Sequence, residues 1–276
     1  MIKKITISIV LLFGFIIFLF GQNFTRPDTV SVRSSNLTLK ALLWTPSGKG
    51  PFPTIIYCHG SYRDTETIKD LILGPVFAKR GYLFLFLFRR GIGLSRGQGV
   101  NSADLIDQAF KEKGQELSNK VRLQQLETDQ LQDMIAGFSF LKTRKDVDIN
   151  RMAVVGVSFG GSLALLLAER EPALKAVVLF SPAGVNWDRS FQLRLRLINA
   201  VKNISVPIMI VHAANDYSLN PGIVLDSIMN NLEKPHLLKI YPKFGDSPAE
   251  AHNLINLSVA TWGNDVFNFL AENLRH

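Results

Sequence analysis

Seven consecutive apolar residues, Tyr82-Leu83-Phe84-Leu85-Phe86-Leu87-Phe88, leave no polar face for water. A strand built from them must be covered on both sides, the condition of a strand inside a parallel sheet flanked by helices. Thr54-Ile55-Ile56-Tyr57-Cys58, Met152 to Gly156, Leu174 to Phe180 and Pro207 to Val211 read as further strands. Between them the apolar spacing turns helical: Ile68, Leu71, Ile72, Val76 and Phe77, kinked at Gly74-Pro75; Leu131, Met134, Ile135, Phe138 and Leu141 on one long helix; then Gly160 to Arg170. Leu37 to Trp44 partly alternates, as a strand covered on one side does, while residues 89–116 are rich in glycine and charge. His236 to Tyr241 makes a last strand and Val259 to Leu274 a C-terminal helix. The alternation predicts an α/β fold: a mostly parallel sheet, helices on both faces, right-handed crossovers, and ligands at the carboxyl ends of the strands.

With 276 residues, 47% hydrophobic and 20% charged, the chain can bury one full core. A single domain over residues 22–276 is expected. The lone cysteine, Cys58, excludes an internal disulfide and any multi-cysteine metal centre. The start is different in kind: Met1-Ile2-Lys3-Lys4 precedes an apolar run from Ile5 to Phe20 and a small residue, Gly21. This reads as a signal peptide over residues 1–21 and implies export, periplasmic or extracellular. The run has 16 residues, short of the roughly 20 a spanning helix needs. An uncleaved anchor is the alternative, and membrane contact follows only if that segment is retained. Loss of Lys3 and Lys4 takes the net charge from +8 to +6. The remaining lysines and arginines are dispersed rather than striped with aromatics, which argues against a nucleic-acid partner.

Gly156-Val157-Ser158-Phe159-Gly160 fits G-x-S-x-G and lies directly between a strand and a helix. The strained turn needs flanking glycines where a Cβ would collide with the neighbouring chain, and the helix N-terminus behind Ser158 favours an oxyanion. A serine nucleophile needs a base, and the base an orienting acid. Of five histidines, His59 belongs to another motif, His212 lies in a strand, His236 begins one and His276 ends the chain. His252, between the final strand and the final helix, is the expected base. Asp216, just past the strand ending at Val211, is the expected acid, with Asp188 and Asp246 as rivals. His59-Gly60-Ser61 follows the second strand and would supply an oxyanion donor: the Ser61 amide, or Tyr62, beside the Phe159 amide.

Taken together these motifs, with Arg89-Arg90-Gly91-Ile92-Gly93-Leu94-Ser95 after a strand and Ala214-Asn215-Asp216 after another, resemble the α/β-hydrolase superfamily over residues 37 to 274. Within it the chain is similar to dienelactone hydrolase-like and prolyl oligopeptidase-like catalytic domains of the serine peptidase clan. The resemblance implies a triad of Ser158, Asp216 and His252, with no cofactor and no metal. Dienelactone hydrolases proper use a cysteine where this chain has Ser158, and nothing before residue 37 has the length of the propeller that gates the oligopeptidases. Residues 183–205 form an insertion with Trp187, Phe191, Leu193, Leu195 and Leu197 among Arg189, Arg194 and Arg196. It reads as a short lid, an amphipathic membrane-facing segment or plain packing. Arg63, Arg89, Arg90 and Arg96 near the same edge suit an anionic substrate or simply solvent.

The leading expectation is an exported serine hydrolase cleaving a carboxylic ester of a small molecule through an acyl-enzyme. A small-peptide amidase or aminopeptidase with the same triad is the second, and a non-catalytic binding protein on the same fold the third. Oligomeric state is left open.

Overall fold

The computed structural model describes residues 26–61 and 67–275. The signal expected over residues 1–21, and Tyr62 and Arg63, lie outside the described residues. In chain order the elements are β1 (Asp28–Ser34), β2 (Leu37–Trp44), β3 (Phe52–Cys58), a 3-10 segment (Thr67–Ile72), α1 (Leu73–Lys79) and β4 (Leu83–Leu87). A second 3-10 turn (Gly93–Ser95) leads to α2 (Ser102–Glu127), α3 (Asp129–Lys142), β5 (Val147–Val157), α4 (Phe159–Arg170) and β6 (Ala176–Phe180). The remainder comprises α5 (Asn186–Arg189), α6 (Phe191–Asn203), β7 (Ile208–Ala213), α7 (Asn220–Asn231), β8 (His236–Tyr241), α8 (Pro248–His252), α9 (Leu254–Leu257) and α10 (Val259–Asn273).

These strands form one eight-stranded sheet in the order β1-β2-β4-β3-β5-β6-β7-β8. The β1–β2 and β2–β4 pairs are antiparallel and every other pair is parallel. Alternate residues of each inner strand face opposite layers, as a strand's period of two requires. Ile56, Leu85, Val154, Leu179 and Ile210 pack under α2, α3, α4, α6 and α7. Ile55, Phe84, Val155, Val178 and Met209 pack under α1 and α10, where Trp262 and Phe267 meet Phe77. The sheet therefore divides the core into two apolar layers, and the doubly covered α/β architecture expected from the hydropathy pattern is present.

Three differences bear on the site. α2 runs through the segment rich in glycine and charge, with non-helical backbone at Lys113 and Gly114. Its buried face includes Ser118 and Gln125 as well as Ile106 and Leu126, so an apolar count does not register it. The insertion at 183–205 is two helices, α5 and α6, whose Trp187, Leu193 and Leu197 are buried while Phe191 and Leu195 are exposed. Arg90 is held by carboxylates rather than open to solvent: it forms a two-pronged pair with the fully buried Asp133, at 3.0 Å from Nε and 2.8 Å from Nη2, and meets Asp129 at 2.6 Å.

The chain passes from β3 outward to β4 and then returns to place β5 on the other side of β3. Connections leave β3 and β5 in opposite directions, so a crevice opens beyond their carboxyl ends. Ser61 follows β3 and Ser158 follows β5.

Candidate active site

Ser158 occupies the corner between β5 and α4 with φ 57° and ψ −120°. Such a backbone is uncommon for any residue with a Cβ and persists only where its surroundings enforce it. They do so here. The Ser158 amide donates to the Phe180 carbonyl at 2.9 Å, and the Ser158 carbonyl accepts from Ser162 and Ala183, each at 3.1 Å. A Cβ on Gly156 would stand 2.3 Å from the Gly160 carbonyl oxygen, and one on Gly161 would touch Pro182 at 3.0 Å. The glycines of the motif thus let two strands and a helix close on one point. Phe159 opens α4, so its amide is one of the first-turn donors that lack a partner within the helix.

The acid comes from the turn after β7. The Asp216 amide donates to the Ala213 carbonyl at 3.0 Å, and the Asn215 side chain clasps Phe244 of the loop after β8 by bonds of 2.8 and 3.1 Å. The Asp216 side chain is completely buried. Its Oδ1 accepts from His252 Nδ1 at 2.8 Å and from the Tyr217 amide at 2.7 Å, and its Oδ2 lies 2.8 Å from His212 Nδ1. Burial alone would raise this carboxyl's pKa. The hydrogen bonds from His212, His252 and the Ser181 hydroxyl, with the charge attraction of His252, outweigh burial and hold the group well below the usual carboxylate range.

His252 is the last residue of α8 rather than part of an open loop. Ser247 and Glu250 form a reciprocal capping box at the start of that helix, with Pro248 at its first turn, which fixes a five-residue helix at this position. The imidazole stands against Gly184, where a Cβ would lie 2.9 Å from Cε1, and it meets the half-exposed Tyr217 ring in an edge-to-face arrangement with ring centres 5.2 Å apart. Ala183 binds Ser158, and the next residue packs on His252. One dipeptide therefore touches both.

The loop after β3 is braced from below. Arg89, wholly buried, donates to the His59 and Gly60 carbonyls, both at 2.9 Å, and its guanidinium lies 5.4 Å from the Phe159 ring centre. In a trans peptide the carbonyl and the following amide point opposite ways, so the Ser61 N–H is turned away from Arg89. Arg89 is thus a brace for this loop, a role that sequence position among glycines does not reveal. His59 is wholly buried as well; burial, and then the nearby Arg89 charge, push its pKa well below the ordinary imidazole value, against the opposing bond with Gly60.

His212 is the site residue that sequence reasoning set aside. Its position in a strand argued against it, yet it lies four residues before Asp216 and one before the end of β7, where a side chain reaches the carboxyl edge. Neither Asp188 nor Asp246 pairs with a candidate base: Asp188 accepts from Asn220, and Asp246 is exposed beside Lys243. Among the described residues no group of three or more His, Cys, Asp or Glu side chains could hold a metal ion, and no helix is long and apolar enough to cross a membrane.

Residues 39–256 match the model of the dienelactone hydrolase family. The esterase EstD of Thermotoga maritima is 29% identical over 161 residues, covering 56% of this chain and 34% of that protein's own length. An acylaminoacyl peptidase of Pyrococcus horikoshii superposes with a TM-score of 0.67 at 15% identity, over 95% of this chain and 43% of that one. A dienelactone hydrolase of Anabaena variabilis gives a TM-score of 0.61 at 16% identity, over 91% of this chain and all of its own, 100%. The two structural likenesses are likenesses of fold.

Proposed function

Because the chain belongs to the dienelactone hydrolase family, and is a hydrolase on that ground, we propose that it is an exported serine hydrolase cleaving carboxylic esters of small molecules. Ser158 is the nucleophile, His252 the base and Asp216 the acid that orients the base. The observation that carries this reading is the Asp216–His252 bond of 2.8 Å beside a serine in a strained strand-to-helix corner, with Ala183-Gly184 in contact with both sides.

His252 takes the Ser158 proton on Nε2 as Oγ bonds to the acyl carbon, and the carbonyl electron pair moves onto oxygen. The Phe159 and Ser61 amides receive that oxyanion; one such donor is worth about 3 kcal/mol of transition-state stabilisation. Collapse breaks the bond to the alcohol, which leaves with the proton from His252. Water repeats the sequence on the acyl-enzyme and restores Ser158. Asp216 stays ionised throughout, in keeping with the donors that surround it. The export reading rests on Met1-Ile2-Lys3-Lys4 and the apolar run that follows, with a retained anchor as its alternative.

A panel of short acyl esters and aminoacyl amides, with fluorophosphonate labelling, tests the proposal. Ester turnover above amide turnover, labelling at Ser158, and a loss of about 10³-fold or more in Ser158→Ala are expected. Unlabelled, folded protein without ester turnover would favour a binding role, and amide turnover well above ester turnover would reverse the substrate assignment.

A further inference from the structure

Asp216 is held by two imidazoles, one on each oxygen. Only one of them belongs to the proposed triad. The His212 side chain is completely buried, and its Nδ1 lies 2.8 Å from Asp216 Oδ2. Its other ring nitrogen, Nε2, is buried and meets no hydrogen-bond partner among the described residues. That nitrogen faces the first turn of α7, where a Cβ on Gly222 would stand 2.9 Å from Nε2 and 2.8 Å from Cδ2.

A buried ring with an unsatisfied nitrogen is a costly way to fill space, since an apolar side chain of similar volume would leave nothing unpaired. What the imidazole adds over such a side chain is one N–H, and it is aimed at the acid. The lack of an acceptor at Nε2 places that ring's proton on Nδ1, because an N–H buried at Nε2 would be unsatisfied while a bare lone pair costs less. Without the His212 donor, Oδ2 would be a charged oxygen in a buried site with one fewer partner, and the carboxylate would be held about its Cβ–Cγ bond only by the Tyr217 amide, His252 and the Ser181 hydroxyl.

We propose that His212 is a positioning residue for the triad acid: its Nδ1–H pins Oδ2 and so keeps Oδ1 on His252. This rests on the Ser158–His252–Asp216 reading. The vacancy of a side chain at Gly222 belongs to the same device, since it is what admits the ring.

The test uses the full chain and a p-nitrophenyl ester, with kcat, KM and thermal melting recorded for each variant. His212→Val removes the donor, His212→Asn places an amide N–H near the Nδ1 position, Gly222→Ala crowds the ring, and Asp216→Asn gauges the acid itself. His212→Val is expected to lower kcat about 10- to 100-fold with KM within about two-fold, the size of effect that a small misplacement of a reacting group produces. His212→Asn is expected to recover most of that kcat, and Gly222→Ala to fall between. Full kcat in folded His212→Val, while Asp216→Asn is crippled, overturns the inference and leaves the triad standing. Equal losses in His212→Val and His212→Asn overturn it too, because packing rather than the N–H would then be responsible. Full kcat in Asp216→Asn overturns the triad reading instead. Should His212→Val not fold, His212→Asn against His212→Gln decides, since the longer amide reaches the Nε2 position and is expected to fail where asparagine succeeds.

Discussion

Gly160 lies so close to the backbone of Cys58 that a Cβ placed on it would stand 1.9 Å from the Cys58 carbonyl oxygen and 2.3 Å from that of His59. The first turn of α4 is therefore seated directly on the end of β3. Backbone cannot yield as a flexible side chain does, so Gly160→Ala is expected to cost at least about 3 kcal/mol. Urea denaturation measures this; a variant within about 1 kcal/mol of the parent would show that the helix is not seated as described.

Ser158 carries a positive φ of 57° with ψ −120°, a conformation a glycine adopts without penalty. Ser158→Gly is expected to abolish ester turnover yet raise stability by about 1 kcal/mol, or roughly 2–4 °C in melting temperature for a chain of this size. A lower melting temperature would mean that the serine sits there without strain.

Acid should weaken the fold in two stages. His59 has a folded pKa well below the ordinary 6.5, so its contribution is whole above that value and is lost as pH falls and the unfolded chain takes up a proton the native one refuses. Below pH 6.5 the unfolding free energy should drop by as much as about 1.4 kcal/mol per pH unit from this group. Asp216, also depressed when folded, contributes fully above 3.8 and is lost at lower pH still. Denaturation curves at pH 7.5 and about 5.5, compared with those of His59→Gln, separate the first stage; a parent protein equally stable at both would refute it.

Burial pushes the Cys58 thiol up to about 12, with the Arg89 charge opposing. Thiolate is the reactive form, so native protein should resist Ellman's reagent for hours and release one equivalent of thiol in denaturant. Rapid reaction of the native protein would mean that the end of β3 opens readily.

The parts of this molecule most legible in its sequence are strands whose apolar residues form a run or an alternation. β2 and β8 begin and end where the sequence pattern puts them, and the inner strands agree to within two residues at each end except that β5 starts at Val147, five residues before the expected Met152. β1 escaped because Asp28-Thr-Val-Ser-Val-Arg-Ser34 has only two apolar residues on a half-covered edge. α7 escaped because it opens with Asn220-Pro221-Gly222, a turn-like triplet whose proline is also suited to a first helical turn. At the candidate site, the Ser158 corner was readable from motif and context, and the pairing of Asp216 with His252 from their places in the order of elements. His212 and Arg89 were not, because each acts through a contact distant from any motif: an imidazole at a strand end on Oδ2, and a buried guanidinium on two backbone carbonyls. The Ser247–Glu250 capping box was a visible signal for the helix that ends at His252.

β1 is antiparallel to β2, and β2 to β4, so β1 runs in the same sense as the parallel strands and starts at the rim opposite Ser158. It is also the outermost strand, four places from β5, about 20 Å away at normal strand spacing. Whatever is joined to the chain ahead of residue 26, be it a lipid-embedded anchor, a fusion partner or a bead, grips the enzyme at its far lower corner. The proposed site lies at the other rim of the sheet, so attachment through that end should leave substrate entry unhindered.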